Sequence, residues 1–164
     1  MRYAKLAFAL LGLAALLIAA EPFAGTWKLN SAKTKYKTGA PPKEQTATIA
    51  EAGSDLDVTI SGTAADGSAI MSHYTVPAQG GEGKIIQSPW DAVSGKRMGP
   101  NEREVQYSKG GKVVLTTHSK ISADGKTLTV NVKGTDMQGK PVDGAVVYDK
   151  FSEPYSDTPL KDPK

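Results

Sequence analysis

Leu56-Asp57-Val58-Thr59-Ile60-Ser61 alternates apolar and polar residues without a break. Successive side chains of an extended chain point to opposite faces, so this stretch has one oily face and one wet face. Leu128-Thr129-Val130-Asn131-Val132-Lys133 repeats the pattern, and Ala145, Val147 and Phe151 alternate with Val146, Tyr148 and Lys150. Between Val113 and Ile121 the apolar residues fall on both faces. There Val113, Leu115, Thr117 and Ile121 oppose Val114, Thr116, His118 and Lys120. No convincing three-and-four apolar spacing occurs after residue 20, so nothing supports a helix there.

Turn residues separate these runs. Gly53-Ser54, Asp66-Gly67, Gly110-Gly111, Asp124-Gly125 and Gln138-Gly139 are each flanked by strand-like sequence. Such pairs supply the unusual backbone angles that two-residue hairpins need. Hairpin signals at short spacing predict an antiparallel meander. Asn30 to Lys43, Pro77 to Gly83 and Gln87 to Asn101 read as loops from their Lys, Gly and Pro content. Val58 to Gly67 and Val130 to Gly139 echo each other as strand, Gly-Thr and a turn ending in Gly, which two similar hairpins explain.

The chain has 164 residues with 20 Lys+Arg and 17 Asp+Glu. Its start reads as an address: Arg2 and Lys5, an apolar run from Leu6 to Ala20, then Glu21-Pro22. A positive region, a short apolar core and small residues at the cut describe a secretory signal peptide. The run is shorter than the roughly 20 residues a membrane helix needs. Residues 1–20 are therefore expected to be removed, leaving no stable membrane insertion and a secreted or periplasmic protein of bacterial type. Without Arg2 and Lys5 the count becomes 18 Lys+Arg against 17 Asp+Glu, a net charge of +1. So balanced a surface gives no footprint for nucleic acid. With no Cys, disulfides and thiolate metal sites are excluded. The Pro-containing tail 153–164 is expected to be disordered.

Pro22-Phe23-Ala24-Gly25-Thr26-Trp27-Lys28-Leu29 resembles the opening of lipocalins and fatty-acid-binding proteins, the calycin barrels, where Gly-x-Trp begins the first strand. The resemblance implies a barrel whose Trp plugs a closed end while the open end admits a small apolar ligand. Ala145 to Lys150 is similar to the last strand of fatty-acid-binding proteins, and the likeness spans about residues 22–152 in layout. The departures bear on chemistry. Fatty-acid-binding proteins place a carboxylate-binding Arg two residues before the last-strand Tyr, and here that place is Val146, before Tyr148. Lipocalins tend to lay a late Arg across the opening Trp. This chain has only Arg2, Arg97 and Arg103, and Lys150 offers a point charge without planar stacking.

The polar residues form no catalytic motif. His73 and His118 each sit alone on a strand, which gives a metal too few ligands, so no metal site and no cofactor are expected. No Gly-x-Ser-x-Gly elbow occurs. Asp55 with Asp57, and Glu102 with Glu104, share strand faces as exposed carboxylates routinely do. Asp66-Gly67 and Asp124-Gly125 lack the full ligand series of a calcium loop. Lys33, Lys35 and Lys37 read as a solvated, lysine-guarded edge.

Residues 21–152 are thus expected to form one all-β domain, a single antiparallel up-and-down barrel of about 8–10 strands. Its predicted task is non-catalytic binding or carriage of a small, largely apolar molecule. The predicted lining is Trp27, Val58, Ile60, Tyr74, Leu115, Val130 and Val147, with Trp90 near a mouth. The alternative is a filled barrel acting as an exported structural or interaction module, with Trp90 and the Lys96 to Arg103 segment as its contact surface. An enzyme in the cavity lacks any motif. A cavity above about 300 Å³ would favour the carrier, and a packed interior with an exposed apolar patch the module.

Overall fold

A computed structural model describes residues 21–152, and the expected signal peptide and C-terminal tail lie outside the described residues. Twelve strands occupy this span and no helix is present among the described residues. They are β1 (Gly25–Leu29), β2 (Lys35–Thr38), β3 (Glu44–Ala52), β4 (Asp55–Thr63), β5 (Ala69–Pro77), β6 (Gly80–Glu82), β7 (Lys84–Gln87), β8 (Ala92–Gly99), β9 (Glu102–Lys109), β10 (Lys112–Ile121), β11 (Thr127–Thr135) and β12 (Pro141–Phe151). One sheet runs in the order β6-β8-β9-β10-β11-β12-β1-β3-β4-β5-β7, with β2 paired to β12. All of its pairings are antiparallel. It curls into a nearly closed antiparallel up-and-down barrel.

The strand count exceeds the expected 8–10, because three stretches read as loops contain strands. Lys35–Thr38, Gly80–Glu82 and Ala92–Gly99 pair with β12, β8 and β9 respectively. The five turn pairs all lie in connections between strands: β3–β4, β4–β5, β9–β10, β10–β11 and β11–β12.

Alternation decides which side chains fill the barrel. Leu56, Val58 and Ile60 of β4 face inward, as do Leu128, Val130 and Val132 of β11. On β10 a register shift between Val113 and Leu115 breaks the period. Val113 is left 54% exposed while Val114 packs against the core, which corrects the expectation that Val113 shares the face of Leu115.

The two ends of the barrel differ. At one, Trp27 is fully buried among Phe23, Ala47, Ile121, Leu128, Val146 and Tyr148. Its indole Nε1–H donates to the Phe23 carbonyl at 2.9 Å, so the ring is fixed in orientation as well as buried. Lys150 Nζ stands 5.0 Å above the Trp27 ring, within reach of a cation–π contact. Gly25 makes room for it: a Cβ there would sit 2.8 Å from Lys150 Cε, and its φ of +135° suits only glycine. At the other end lie the β2–β3, β4–β5 and β11–β12 connections.

Closure falls between β5 and β8. No regular ladder joins them; β6 pairs with β8, and the Gly83 N–H donates to the Val93 carbonyl at 2.8 Å. The approach is close because Gly95 faces inward under Val76, whose Cγ2 lies 2.5 Å from where a Gly95 Cβ would be. A side chain at 95 would have to displace Val76.

Candidate functional site

The barrel is hollow. Its cavity has a volume of about 230 Å³ and runs from Phe23, Arg103 and Leu128 at the Trp27 end to Gly39, Ala40, Asp66 and Lys140 at the other. The last four are exposed, so they mark a mouth. The volume falls short of the 300 Å³ set above for the carrier. It exceeds the roughly 150 Å³ of an apolar cavity that admits benzene and lies below the roughly 300–1,000 Å³ of drug-sized sites. The space therefore suits a compact guest, or part of a longer one emerging through the mouth.

Six of the eight predicted lining residues face this space: Val58, Ile60, Tyr74, Trp90, Leu115 and Val130. Two do not. Val147 is buried but alternates with Val146 and Tyr148, and those two line the cavity. A slip of one residue reverses the face of a strand, and the Val146-Val147-Tyr148 run gives no polar residue to set the phase. Trp27 lies in the closed-end cluster rather than in the cavity wall.

The middle of the cavity carries tyrosines. Tyr74 and Tyr107 share a hydrogen bond of 2.8 Å between their hydroxyls, with rings edge-to-face at 5.6 Å. Trp90 covers Tyr107 with centroids 4.3 Å apart and is only 6% exposed. The β7–β8 connection thus turns its Trp inward, not onto an interaction surface. Burial pushes the Tyr107 phenol up to about 12 and raises Tyr74 and Tyr148 well above their ordinary value. Burial, helped by Asp136, takes Tyr36 to about 12. These hydroxyls remain neutral donors and acceptors at any physiological pH.

Arg97 and Arg103 also depart from the interaction-surface reading. They are directly opposed on β8 and β9 and converge on one carboxylate. Glu21 Oε2 lies 3.0 Å from Arg97 Nη1, and Glu21 Oε1 lies 3.6 Å from Arg103 Nη2. Arg103 is 4% exposed; its Nη2 donates to the Ala78 carbonyl at 2.6 Å, and its guanidinium lies 5.3 Å from the Phe23 ring. Its Nε and Nη1 are buried without a partner. An unpaired buried donor costs about 1–3 kcal/mol. Burial lowers the Arg103 pKa, opposed by Glu21 and reinforced by Arg97.

The sequence held a signal for this group. Arg103, Val105 and Tyr107 alternate with Glu102, Glu104 and Gln106, a period that places Arg103 inside. Glu21 offered no comparable signal, since its role depends on a contact with residues far along the chain.

At the mouth, Lys140 Nζ meets Asp66 Oδ2 at 2.8 Å, joining the β11–β12 and β4–β5 turns. These are the turns of the two echoing hairpins. Each closes alike, Ala64 N–H to Ser68 O and Asp136 N–H to Lys140 O, both at 2.8 Å. The histidines lie outside the cavity wall, His73 on Asp57 at 3.0 Å and His118 on Glu104 at 2.8 Å. Among the described residues no three His, Asp or Glu side chains gather as a metal ligand set.

No protein-family model matches the chain, and no curated protein is similar to it in sequence. Solved structures with a similar fold include zebrafish ileal bile acid-binding protein complexed with cholic acid. It is 15% identical with a TM-score of 0.45, over 79% of this chain and 99% of that one. Lobster apocrustacyanin A1 is 12% identical with a TM-score of 0.43, over 81% of this chain and 63% of that one. The redesigned β-barrel mFAP1, bound to DFHBI, is 14% identical with a TM-score of 0.41, over 80% of this chain and 98% of that one.

Proposed function

We propose that the chain is an exported, non-catalytic binding protein that carries a small, largely apolar molecule inside its barrel. The observation that carries this reading is the cavity of about 230 Å³. Val58, Ile60, Leu115 and Val130 line its apolar wall, and it reaches the surface at Gly39 and Ala40. Hydrophobic burial favours filling such a space with an apolar guest over leaving it to water, which finds few partners on an aliphatic wall. Export rests on the sequence of residues 1–20.

Native mass spectrometry of the protein secreted by its own host, set against the denatured mass, tests both parts. A discrete adduct lost on denaturation, on a chain beginning near Glu21, is the expected result. A full-length chain without adduct would refute the proposal.

A further inference from the structure

Glu21 is held by its backbone as well as its side chain. Its carboxylate meets Arg97 at 3.0 Å and Arg103 at 3.6 Å, and its backbone N–H donates to Glu51 Oε1 at 2.9 Å. Ala24 N–H donates to the Glu21 carbonyl at 3.0 Å, fixing the turn that leads into β1. Glu21 thus ties the end of β3 to β8 and β9 across the closed end of the barrel. Among the described residues no Lys, Arg or His forms an ion pair with Glu51, so that carboxylate accepts a hydrogen bond but meets no cation.

Ile18 stands three residues before Glu21, where a small residue is usual, so the leader by itself allows a cut at neighbouring bonds. We infer that processing cuts the Ala20–Glu21 bond and that Glu51 receives the ammonium this frees, which completes the floor of the barrel. Hydrolysis adds water across that bond, leaving a carboxylate on Ala20 and an ammonium on Glu21. The nitrogen that donates to Glu51 as a neutral amide then donates as a cation, and a charge-assisted hydrogen bond is the stronger one. A cut one residue later discards Glu21 and leaves Arg97 and Arg103, opposed on β8 and β9, without the carboxylate they share. A cut one residue earlier leaves the Glu21 nitrogen an uncharged amide. The inference rests on the proposed export and is independent of what the barrel carries.

N-terminal sequencing of the protein exported by its own host reads the cut directly, and a chain beginning at Glu21 is expected. A chain beginning at any other residue would overturn the inference and leave export standing; an uncut chain would overturn both. Urea unfolding then tests the ammonium, comparing the chain that begins at Glu21 with the same chain acetylated at its N-terminus. Acetylation keeps an N–H for Glu51 and removes the charge. At low salt it is expected to raise the unfolding equilibrium constant about two- to fivefold, the range of an exposed ion pair. High salt is expected to shrink that factor, because it screens a charge but spares a neutral hydrogen bond. In Glu51→Gln, acetylation is expected to change the constant by less than about 1.5-fold, since no carboxylate remains for the ammonium. An acetylation effect of equal size with and without Glu51→Gln would overturn the pairing.

Discussion

Gly95 and Val76 offer a test of how the barrel closes. A Cβ on Gly95 would stand 2.5 Å from Val76 Cγ2, and Val76 is only 2% exposed. Gly95→Ala therefore overpacks the seam, at about 1–3 kcal/mol. Relief of the glycine's unfolded-state entropy offsets about 0.4–1 kcal/mol, for a net loss of about 1–2 kcal/mol. Val76→Ala removes two buried carbons, worth about 1.6 kcal/mol at about 0.8 each, and with its cavity costs about 2–3 kcal/mol. In the double variant the methyl introduced at position 95 moves into the space Val76 vacates. Its loss is expected to be smaller than the sum of the single losses by about 1–2 kcal/mol, beyond the roughly 0.5 kcal/mol scatter of independent sites. Urea unfolding of the four proteins at a common m-value measures this coupling. Hydrogen exchange at Gly83, whose N–H bonds across the seam to Val93, is expected to quicken in Gly95→Ala and recover in the double variant. Additive losses, or a Gly95→Ala variant as stable as wild type, would refute the close approach of β5 and β8.

Trp27→Phe keeps an aromatic ring but strands the Phe23 carbonyl, and a loss of about 2 kcal/mol in urea unfolding is expected. Alkali is expected to unfold the protein through its buried phenols. Folding holds Tyr74, Tyr107 and Tyr148 protonated, whereas the unfolded chain releases those protons near the ordinary pKa of 10. The stability present below pH 10 is then lost above it, at roughly 4 kcal/mol per pH unit for the three together. Phenolate absorbance rising together with loss of far-ultraviolet β signal checks this, and phenolate appearing before unfolding would contradict it. Val130→Phe points a larger side chain into empty space, so thermal melting is expected to register under about 1 kcal/mol of change. The same variant is expected to lose the adduct seen by native mass spectrometry.

The sequence made the fold legible where a strand has one wet face. β4 and β11 alternate cleanly, and their inward residues are the ones read from the sequence. Legibility failed where an inward position serves closure or charge instead of apolar packing. The inward residues of β8 are Val93, Gly95 and Arg97; the glycine admits Val76 and the arginine meets Glu21, so no oily face marks the strand. β10 hid its phase behind the irregularity after Val113, and β12 behind three consecutive large side chains. The part of the cavity wall carried by β4 and β11 was readable because single apolar residues alternate there. The charged closed end was not, because it joins Glu21 to residues more than seventy positions away.

β1 lies between β3 and β12, with Trp27 paired to Ala47 on one side and Lys150 on the other. The first strand of the described residues thus shares its ladder with the last. While the ribosome is still extending the chain, Trp27 lacks Val146 and Tyr148 as neighbours, and the barrel has no floor. Closure must wait for β12, and such distant pairings are slow to form. A nascent chain of this design stays an open sheet until β12 has been made.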